Sequence, residues 1–450
     1  QSDRFGLAAY KKNGFIKASD EPESVSKNLE YAYDDWCIAI MADSLGKDSI
    51  AKIFYERAQY YKNLYDPSSG FFRGKNAYSW FSPFKPEEVN FHYTEANAWQ
   101  YSLFTPQDIS GHIKLKGGNE NYEKHLDSMF LSKVKTTGRH QPDVTGLIGQ
   151  YAHGNEPSHH MAYLYNYVGK ASKTQKYVAK ILNEQYTEKP DGLSGNEDCG
   201  QMSSWYVLSS LGFYPVTPGL DYYTIGTPIF EKAKINLENN KTFEIIAKNV
   251  SDKNIFIQSV KLNGKDYKNS FLKHSSILDG GILEFEMGSK PSSWGENNFP
   301  VSEIKKHEIV AVPFFIAASQ TFIKEHTVGI GSVDESEIYY SLNNGNYIKY
   351  DKPIRINKES IVSSYALKEG KKSKVVSAEF FPRDDSKKIK ILSKYANQYA
   401  AAGNKTLIDQ LRGGNNYRTG NWQGYREDLQ VIVDLSEIKK IKSISLGCHQ

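Results

Sequence analysis

The segment FHYTEANAWQY (91–101) contains the clearest candidate for a general acid. It places Glu95 among aromatic side chains, with Asn97 and Trp99 just beyond, where a loop meets a predicted helix. Thr94 is a candidate N-cap of that helix. A carboxyl group desolvated by aromatic neighbours has a raised pKa, which suits a proton donor. The structural alternative is that Glu95 offsets the dipole at a helix N-terminus.

A second polar segment, HGNEPSHH (153–160), has the residue types of a site for a hard cation. Asn155 and Glu156 offer an amide and a carboxylate oxygen just before Pro157, which starts a helix. Such oxygens suit Ca²⁺ better than Zn²⁺. Seven of the eleven histidines lie between 92 and 160, but their spacing is not that of a zinc site and HExxH is absent.

The third segment, DGLSGNEDCGQMSSW (191–205), carries two adjoining carboxylates, Glu197 and Asp198, in a glycine-flanked loop before a helix. Adjacent carboxylates repel each other, so at least one needs a cation or a proton donor nearby. Each of the three segments is followed by an aromatic-rich helix. Together they predict a pair of carboxylates of the kind that glycosidases use.

Helical periodicity runs through residues 1–228 and predicts the elements that must position these loops. The predicted helices are Leu29–Leu45, Ser49–Leu64, Tyr122–Leu131, Ser158–Val168, Thr174–Tyr186 and Gln201–Leu211, with Ser24 and Ser26 as candidate caps of the first. They form pairs joined by short turns, and the pairs alternate with long loops at 66–93, 136–157 and 188–200. Such an array of α-hairpins is similar to part of an (α/α) toroid, and its long loops are where function is expected.

After residue 228 the hydrophobic period changes to that of β-strands. Asn263-Gly264 predicts a tight hairpin turn, and Asn344-Gly345 predicts a second one between SEIYYSL and YIKYDKP. The expected domains are a helical domain (1–228), a β-sandwich unit completing the catalytic region (229–300), a small β-sandwich (301–383) and the start of a jelly roll (384–450). The fold class is therefore multidomain, mainly α followed by all-β modules.

Composition limits the classes of protein that this chain can belong to. The 450 residues have a net charge of only +4, which gives no case for nucleic acid binding. Mean hydropathy is −0.58, and the absence of a long apolar run excludes a membrane span. The three cysteines are far apart, which excludes a disulfide scaffold or zinc ribbon. Aromatic residues reach 13%, which fits either sugar binding or an aromatic core.

Several long strings of residues resemble glycoside hydrolase family 92, the calcium-dependent exo-acting α-mannosidases. They are SVSKNLEYAYDDW (24–36), YTEANAWQY (93–101), GNEPSHHMAYLYNYVGK (154–170) and GLSGNEDCGQMSSWYVLSSLGFYPVTPG (192–219). The resemblance covers about residues 1–295. It implies an (α/α)6 barrel, an inverting mechanism, Ca²⁺ as cofactor, and terminal α-mannose of mannosides or N-glycans as substrate. It also implies an extracytoplasmic location, either secreted, periplasmic or at the cell surface, although this chain carries no recognisable signal peptide.

The resemblance also implies roles for particular residues. Glu95 would be the general acid, and Asp198 the general base acting on water, with Glu197 as the other candidate base. Ligands for Ca²⁺ would come from Asn155, Glu156 and Glu197. The expected substrate contacts are Asn97, Trp99, His159, Asp35 and Trp36, with a helix-core role as the alternative for Asp35 and Trp36.

The same resemblance leads us to expect that the chain is an incomplete enzyme, because family members carry an N-terminal β-sandwich and opening barrel helices before the point where it begins. That N-terminal domain would be a partner of this segment. Residues 308–381 resemble the C-terminal β module of chitobiase-type hexosaminidases, and the segment from 388 resembles the start of a discoidin-like (F5/8 type C) domain. Two alternatives stay open from sequence: a non-catalytic carbohydrate-binding protein, and a metal-independent, glucoamylase-like (α/α)6 hydrolase.

Overall fold

The structure, a computed structural model, describes residues 4–419 and 422–448. Backbone packing groups the chain into two compact units. Unit 1 comprises Gln1–Ala98, Thr137–Arg139 and Lys306–Gln450, and unit 2 comprises Trp99–Thr136 and His140–Lys305. Each unit combines helices with β-sheets. In fold class, the chain is therefore multidomain, with helical parts and β modules. The boundaries of the four domains expected from the sequence stay a prediction.

The α-helices are α1 Leu7–Asn13, α2 Ser24–Ser44, α3 Asp48–Arg57, α4 Ala98–Tyr101, α5 Ile109–Leu115, α6 Asn119–Phe130, α7 Ala171–Glu184, α8 Gln201–Ser210 and α9 His274–Leu278. Shorter 3-10 helices span Tyr60–Leu64, Pro106–Asp108, Glu156–Ser158, Met161–Val168, Gly403–Ile408 and Tyr417–Thr419.

The strands of the first 300 residues are β1 Tyr65–Asp66, β2 Phe71–Phe72, β3 Glu88–Val89, β4 Thr137–Gly138, β5 Leu147–Ile148, β6 Tyr151–Ala152, β7 Phe213–Tyr214, β8 Tyr222–Ile225, β9 Lys232–Asn236, β10 Thr242–Lys248, β11 Phe256–Leu262, β12 Lys265–Asp266, β13 Phe271–Lys273 and β14 Gly281–Gly288. Those that follow are β15 Phe314–Ile316, β16 Thr321–Phe322, β17 His326–Gly331, β18 Glu337–Leu342, β19 Ile348–Lys349, β20 Ile354–Ile356, β21 Ser360–Lys368, β22 Lys371–Lys372, β23 Val376–Pro382, β24 Lys388–Ile391, β25 Tyr395–Ala400, β26 Gln423–Tyr425 and β27 Val431–Asp434.

Helix α2 shows how apolar spacing sets the helices of unit 1. Its buried apolar side chains recur at intervals of three and four residues, namely Val25, Leu29, Ala32, Trp36 and Ala39. The helix begins at Ser24, five residues before the predicted start, with Glu23 at the N-cap in the left-handed region (φ 57°). The prediction that Ser24 and Ser26 cap it is therefore wrong, because both lie in its first turn. Gly46 (φ 66°) follows the end of the helix, where glycine commonly ends helices.

Two predicted α-helices have a different form in the structure. The region predicted as Ser49–Leu64 divides into α3 and a 3-10 helix, Tyr60–Leu64. The region predicted as Ser158–Val168 contains the 3-10 helix Met161–Val168, in which every residue is buried. Aromatic residues, Asn and Val are weak α-helix formers, and burial on all sides lets packing rather than propensity set the backbone.

Unit 2 joins its helices to a five-stranded sheet of order β12-β11-β14-β10-β9. The Asn263-Gly264 turn links β11 to β12 with positive φ at both residues (51° and 76°), which confirms the predicted hairpin. One apolar core lies among the helices, with Trp205 and Tyr163 fully buried, and another lies against the sheet around Phe243 and Phe285. Leu208 of α8 packs against both cores, so helices and sheet are continuous within this unit.

Unit 1 contains a six-stranded sheet of order β16-β23-β21-β18-β19, in which β22 pairs with β21, and a three-stranded sheet β15-β17-β20. The second predicted hairpin, β18 to β19, is confirmed, but its left-handed residues are Asn343 and Asn344 rather than Asn344 and Gly345. Of the residues the structure describes, none belongs to a helix long and apolar enough to cross a bilayer.

Candidate active site

The candidate acid Glu95 lies in unit 1, in a loop where hydrogen bonds hold the two residues that precede it. The Thr94 N–H donates to Ser26 Oγ (2.8 Å), and the Thr94 hydroxyl donates to Glu23 Oε2 (3.2 Å). The buried Tyr93 donates its hydroxyl proton to the Phe72 carbonyl (2.7 Å). These contacts leave Glu95 itself exposed at the tip of a fixed turn.

Two sequence-based expectations about this loop are wrong. Helix α4 begins at Ala98, so Thr94 is not its N-cap. The Glu95 side chain is exposed, so its aromatic neighbours in sequence do not desolvate it as expected. Its aromatic neighbour Tyr93 is buried, whereas Glu95 lies at the surface in a left-handed turn (φ 51°).

The candidate base Asp198 lies in unit 2, in a turn directly before α8. The carbonyl of Asp198 accepts from Gln201 N–H (3.2 Å), and the carbonyl of Glu197 accepts from Met202 N–H (3.3 Å). Asp198 (φ 48°), Cys199 (φ 59°) and Gly200 (φ 89°) form a left-handed run. The side chain of Asp198 is exposed, and the first turn of the helix fixes its backbone.

Glu197, next to Asp198, has a different set of contacts. Its Oε1 accepts from the Ser203 N–H (3.1 Å) and its Oε2 from the Ser203 hydroxyl (3.0 Å). It therefore satisfies an N–H of the first helical turn, as an acidic residue at a helix N-terminus does. Of the two adjoining carboxylates, Asp198 is the one directed outward.

Glu95 and Asp198 share a left-handed backbone conformation, which Glu23 and Glu369 also adopt among the acidic residues that the structure describes. Glu95 has φ 51° and Asp198 has φ 48°, both in the left-handed region. Residues held there cost on the order of 1–3 kcal/mol and cluster at functional sites. This shared feature is independent of the sequence argument that singled out both residues.

Two glycines bring the loop of Asn155 and Glu156 against the loop of Glu197. A Cβ placed on Gly154 would lie 2.2 Å from the Ser194 carbonyl oxygen, and one on Gly195 would lie 2.7 Å from the Gly154 carbonyl oxygen. Only glycine permits this backbone approach at both positions. The segments predicted to hold a cation and to carry the base are thus neighbours within unit 2.

The two loops carry oxygen ligands of the types that Ca²⁺ prefers. Asn155 is nearly buried and supplies an amide oxygen, while Glu156 and Glu197 supply carboxylates. Both oxygens of Glu197 already accept a hydrogen bond but retain further lone pairs. Within residues 4–419 and 422–448, no three His, Cys, Asp or Glu side chains are grouped as a metal site. A cation here would rely on two carboxylates with amide, carbonyl or water oxygens, a ligand set that Ca²⁺ accepts.

Beneath these loops lies a network of buried histidines and tyrosines. His153 contacts the hydroxyls of Tyr151 (2.7 Å, to Nδ1) and Tyr186 (2.6 Å, to Nε2). His159 donates from Nε2 to the His153 carbonyl (3.0 Å), and Trp205 donates from its indole nitrogen to the His159 carbonyl (2.9 Å). Burial lowers the pKa of His159 to about 4, which keeps the ring neutral at pH 7.

The other predicted substrate contacts have structural partners. Asp35 is fully buried, and its carboxylate accepts from both Arg4 (2.6 Å) and Arg57 (2.8 and 3.0 Å). Trp36 is buried in α2. Asp35 and Trp36 therefore have the contacts expected of residues in the core of a helix, which is the alternative role named for them above. Asn97 is also buried, and Trp99 packs on the ring of His125 at 5.1 Å. The predicted sugar contacts of these residues stay untested.

Sequence reasoning did not single out several members of the network. They are Gln201, Tyr186 and Tyr214, which contact the histidines or each other. Tyr186 and Tyr214 lie among many tyrosines that are ordinary core residues, so nothing in their own positions marks them. Gln201 did carry a signal, since it opens the helix that follows the carboxylate pair.

The chain matches one protein family over most of its length. Residues 1–289 match the model of the glycosyl hydrolase family 92 catalytic domain. A family 92 α-mannosidase of Bacteroides thetaiotaomicron, solved with mannoimidazole, is 38% identical, with a TM-score of 0.64, and the match covers 68% of this chain and 43% of that one. A family 92 inverting mannosidase of Bacteroides thetaiotaomicron VPI-5482 is 36% identical, with a TM-score of 0.61 over 67% and 43% of the two chains.

A curated relative points to the same family. A protein of Arthroderma benhamiae described as an uncharacterized secreted glycosidase is 28% identical over 337 residues, which cover 66% of this chain and 41% of the relative. This chain therefore spans less than half the length of each of these relatives. Because the family match extends over well more than half of its 450 residues, the chain belongs to glycoside hydrolase family 92.

Proposed function

We propose that the protein is an α-mannosidase that removes terminal α-linked mannose from mannosides or N-glycans by an inverting, calcium-dependent mechanism. The observation that carries the proposal is the pair Glu95 and Asp198. Both are exposed carboxylates on left-handed backbone, each fixed by neighbouring hydrogen bonds, and both lie within the segment that matches family 92. The names of the solved relatives, an α-mannosidase with mannoimidazole and an inverting mannosidase, support the substrate and the stereochemistry.

In the proposed reaction the two carboxylates act on opposite faces of the sugar. Glu95 donates its proton to the leaving glycosidic oxygen as the bond to the anomeric carbon breaks. Asp198 removes a proton from water as the water oxygen bonds to the anomeric carbon from the other face. The product is β-mannose. For this arrangement the two carboxyl groups should lie about 6.5–9.5 Å apart in the assembled site.

Asn155, Glu156 and Glu197 would hold Ca²⁺, whose charge, when bound, polarises hydroxyls of the terminal mannose and favours ring distortion. His159, Trp99 and Asn97 would contact the sugar. The helices of this chain would form part of an (α/α)6 barrel. The secreted description of the Arthroderma relative supports an extracytoplasmic location for this protein as well.

The proposal is tested by assaying the complete enzyme, this chain together with the N-terminal domain that the family resemblance implies, on a panel of α-mannosides and α-glucosides before and after removal of metal with EDTA. We expect hydrolysis of α-mannosides that EDTA abolishes and added Ca²⁺ restores. Full activity in excess EDTA would contradict the calcium assignment and favour a metal-independent, glucoamylase-like hydrolase. Mannoside binding without turnover would favour the carbohydrate-binding alternative.

A further inference from the structure

The hydrogen bonds around His159 fix which atoms of the neighbouring Gln201 amide face it. A carbonyl oxygen can only accept, so the contact from His159 Nε2 to the His153 carbonyl (3.0 Å) places the ring proton on Nε2. The ring is 1% exposed, and the tautomer with its proton on Nε2 leaves Nδ1 as an acceptor. The group that meets Nδ1 must therefore be a donor.

Gln201 supplies that donor from the first residue of α8. Its Nε2 lies 3.3 Å from His159 Nδ1 and 3.3 Å from the Tyr214 hydroxyl. The NH₂ end of the amide therefore faces both His159 and Tyr214. Gln201 is half-buried, so the contact is only partly shielded from water.

The backbone of Gln201 is at the same time bonded to the candidate base. Its N–H donates to the Asp198 carbonyl (3.2 Å), closing the left-handed turn through Cys199 and Gly200. At the next residue of the helix, the Met202 carbonyl accepts a hydrogen bond from the Tyr186 hydroxyl (3.1 Å). One residue thus connects the ring of His159 to the turn that presents Asp198.

We infer that Gln201 is a positioning residue for the general base: its amide, bonded to the His159 ring, holds the turn that aims Asp198 at the attacking water. This inference rests on the proposed function and assigns a further residue to it. Misplacement of a reacting group by about 1 Å can cost on the order of 100-fold in rate. A loosened turn should therefore affect the chemical step more than the binding of substrate.

Gln201→Glu is the sharpest variant, because it keeps the size of the side chain and replaces the NH₂ donor by oxygen. On α-mannosyl fluoride, whose good leaving group needs no acid, kcat should fall about 10- to 100-fold with KM unchanged. Ser204→Ala, at an exposed position of the same helix, should retain wild-type kcat and KM. If Gln201→Glu does not fold, Gln201→Met fills the same volume without a charge and should show the same loss.

Wild-type kcat in Gln201→Glu would overturn the inference. A change confined to KM would also overturn it, because a rise in KM alone would mean that Gln201 acts on sugar contacts through His159. If the wild-type chain, assayed together with that N-terminal domain, does not hydrolyse α-mannosyl fluoride, the proposed function fails. The hydrogen bond between Gln201 and His159 is then tested by NMR. In protein with ¹⁵N-labelled histidine, the His159 Nδ1 resonance should be that of an unprotonated acceptor and should shift in Gln201→Glu. An unchanged resonance would overturn the bond.

Discussion

Glu95 and Asp198, the two candidate catalytic carboxylates, both lie on left-handed backbone. A left-handed residue directs its side chain away from the path of the chain, and neighbouring hydrogen bonds hold it there. In both loops hydrogen bonds of the neighbouring residues hold the turn, and the carboxylate side chain is exposed. Because both side chains are exposed, replacement of either carboxylate by its amide should change the fold little.

At the residue scale, the two amide substitutions should separate the roles of acid and base. Glu95→Gln removes the proton donor, so substrates with good leaving groups, such as dinitrophenyl mannosides, should be largely spared. Substrates with poor leaving groups should slow about 10²- to 10⁴-fold. Asp198→Asn removes the activation of water, which every substrate needs, so kcat should fall on both classes. Steady-state kinetics on the two substrate classes measure this, and equal losses in both variants would mean the roles are wrongly assigned.

The sequence predicts individual residues only where their chemistry appears in a local pattern. Glu197 and Asp198 could be named because they adjoin between glycines, but their adjacency does not say which one is directed outward. That depends on Ser203, six residues beyond Glu197, whose N–H and hydroxyl occupy the Glu197 carboxylate. Asp35 likewise depends on Arg4 and Arg57, which lie 31 and 22 residues away in the chain.

At the scale of elements, the site of unit 2 depends on two loops that touch through backbone atoms. Gly154 lies directly before Asn155, and Gly195 lies two residues before Glu197, so the glycine contact sets the spacing of the candidate ligands. The approach leaves no room for a Cβ on either side. A substitution that shifts one of these two loops should therefore shift the other loop as well.

Gly154→Ala should separate the loops, because the new Cβ would lie 2.2 Å from the Ser194 carbonyl oxygen. We expect Ca²⁺ affinity, measured by isothermal titration calorimetry, to fall by at least about 10-fold, as when the supports of a metal site are altered. Gly414→Ala, at a glycine with nothing within 4 Å of its would-be Cβ, is the matched control and should leave it unchanged. Unaltered Ca²⁺ affinity in Gly154→Ala would mean that the cation, if bound, does not depend on this contact.

Elements with a simple hydrophobic period were predictable, and those shaped by packing were not. The apolar stripe of α2 and the Asn263-Gly264 turn follow from local residue types. The 3-10 form of Met161–Val168 does not, because it arises where every side chain of the segment is buried. The short helix α4 begins at Ala98 rather than directly after Thr94, because Thr94 bonds to Ser26 and Glu23 instead of capping the helix.

At the scale of the whole molecule, several buried histidines link folding to pH. Burial lowers the pKa of His92, His159 and His160 to about 4 each, below the ordinary value of 6.5. Unfolding therefore takes up protons between these two values. The stability that these rings contribute is fully present above about pH 6.5 and is lost as the pH falls towards 4.

His160→Gln provides a measure of this effect, because Gln can still donate to the Leu103 carbonyl that His160 Nε2 contacts at 2.9 Å. Near pH 5, calorimetric proton uptake on unfolding should be about one proton lower than in the wild type. The fall in Tm between pH 7 and pH 5 should be correspondingly smaller. An unchanged proton uptake would show that His160 is already charged in the folded protein.

The central claim, that the protein cleaves α-mannosides by direct attack of water, is tested most directly by the anomeric form of the first product. ¹H NMR of an α-mannoside digest, recorded before mutarotation, resolves the two anomers. The account predicts β-mannose as the first-formed sugar, because water enters opposite the leaving group. Initial release of α-mannose would contradict inversion and, with it, the roles of Glu95 and Asp198.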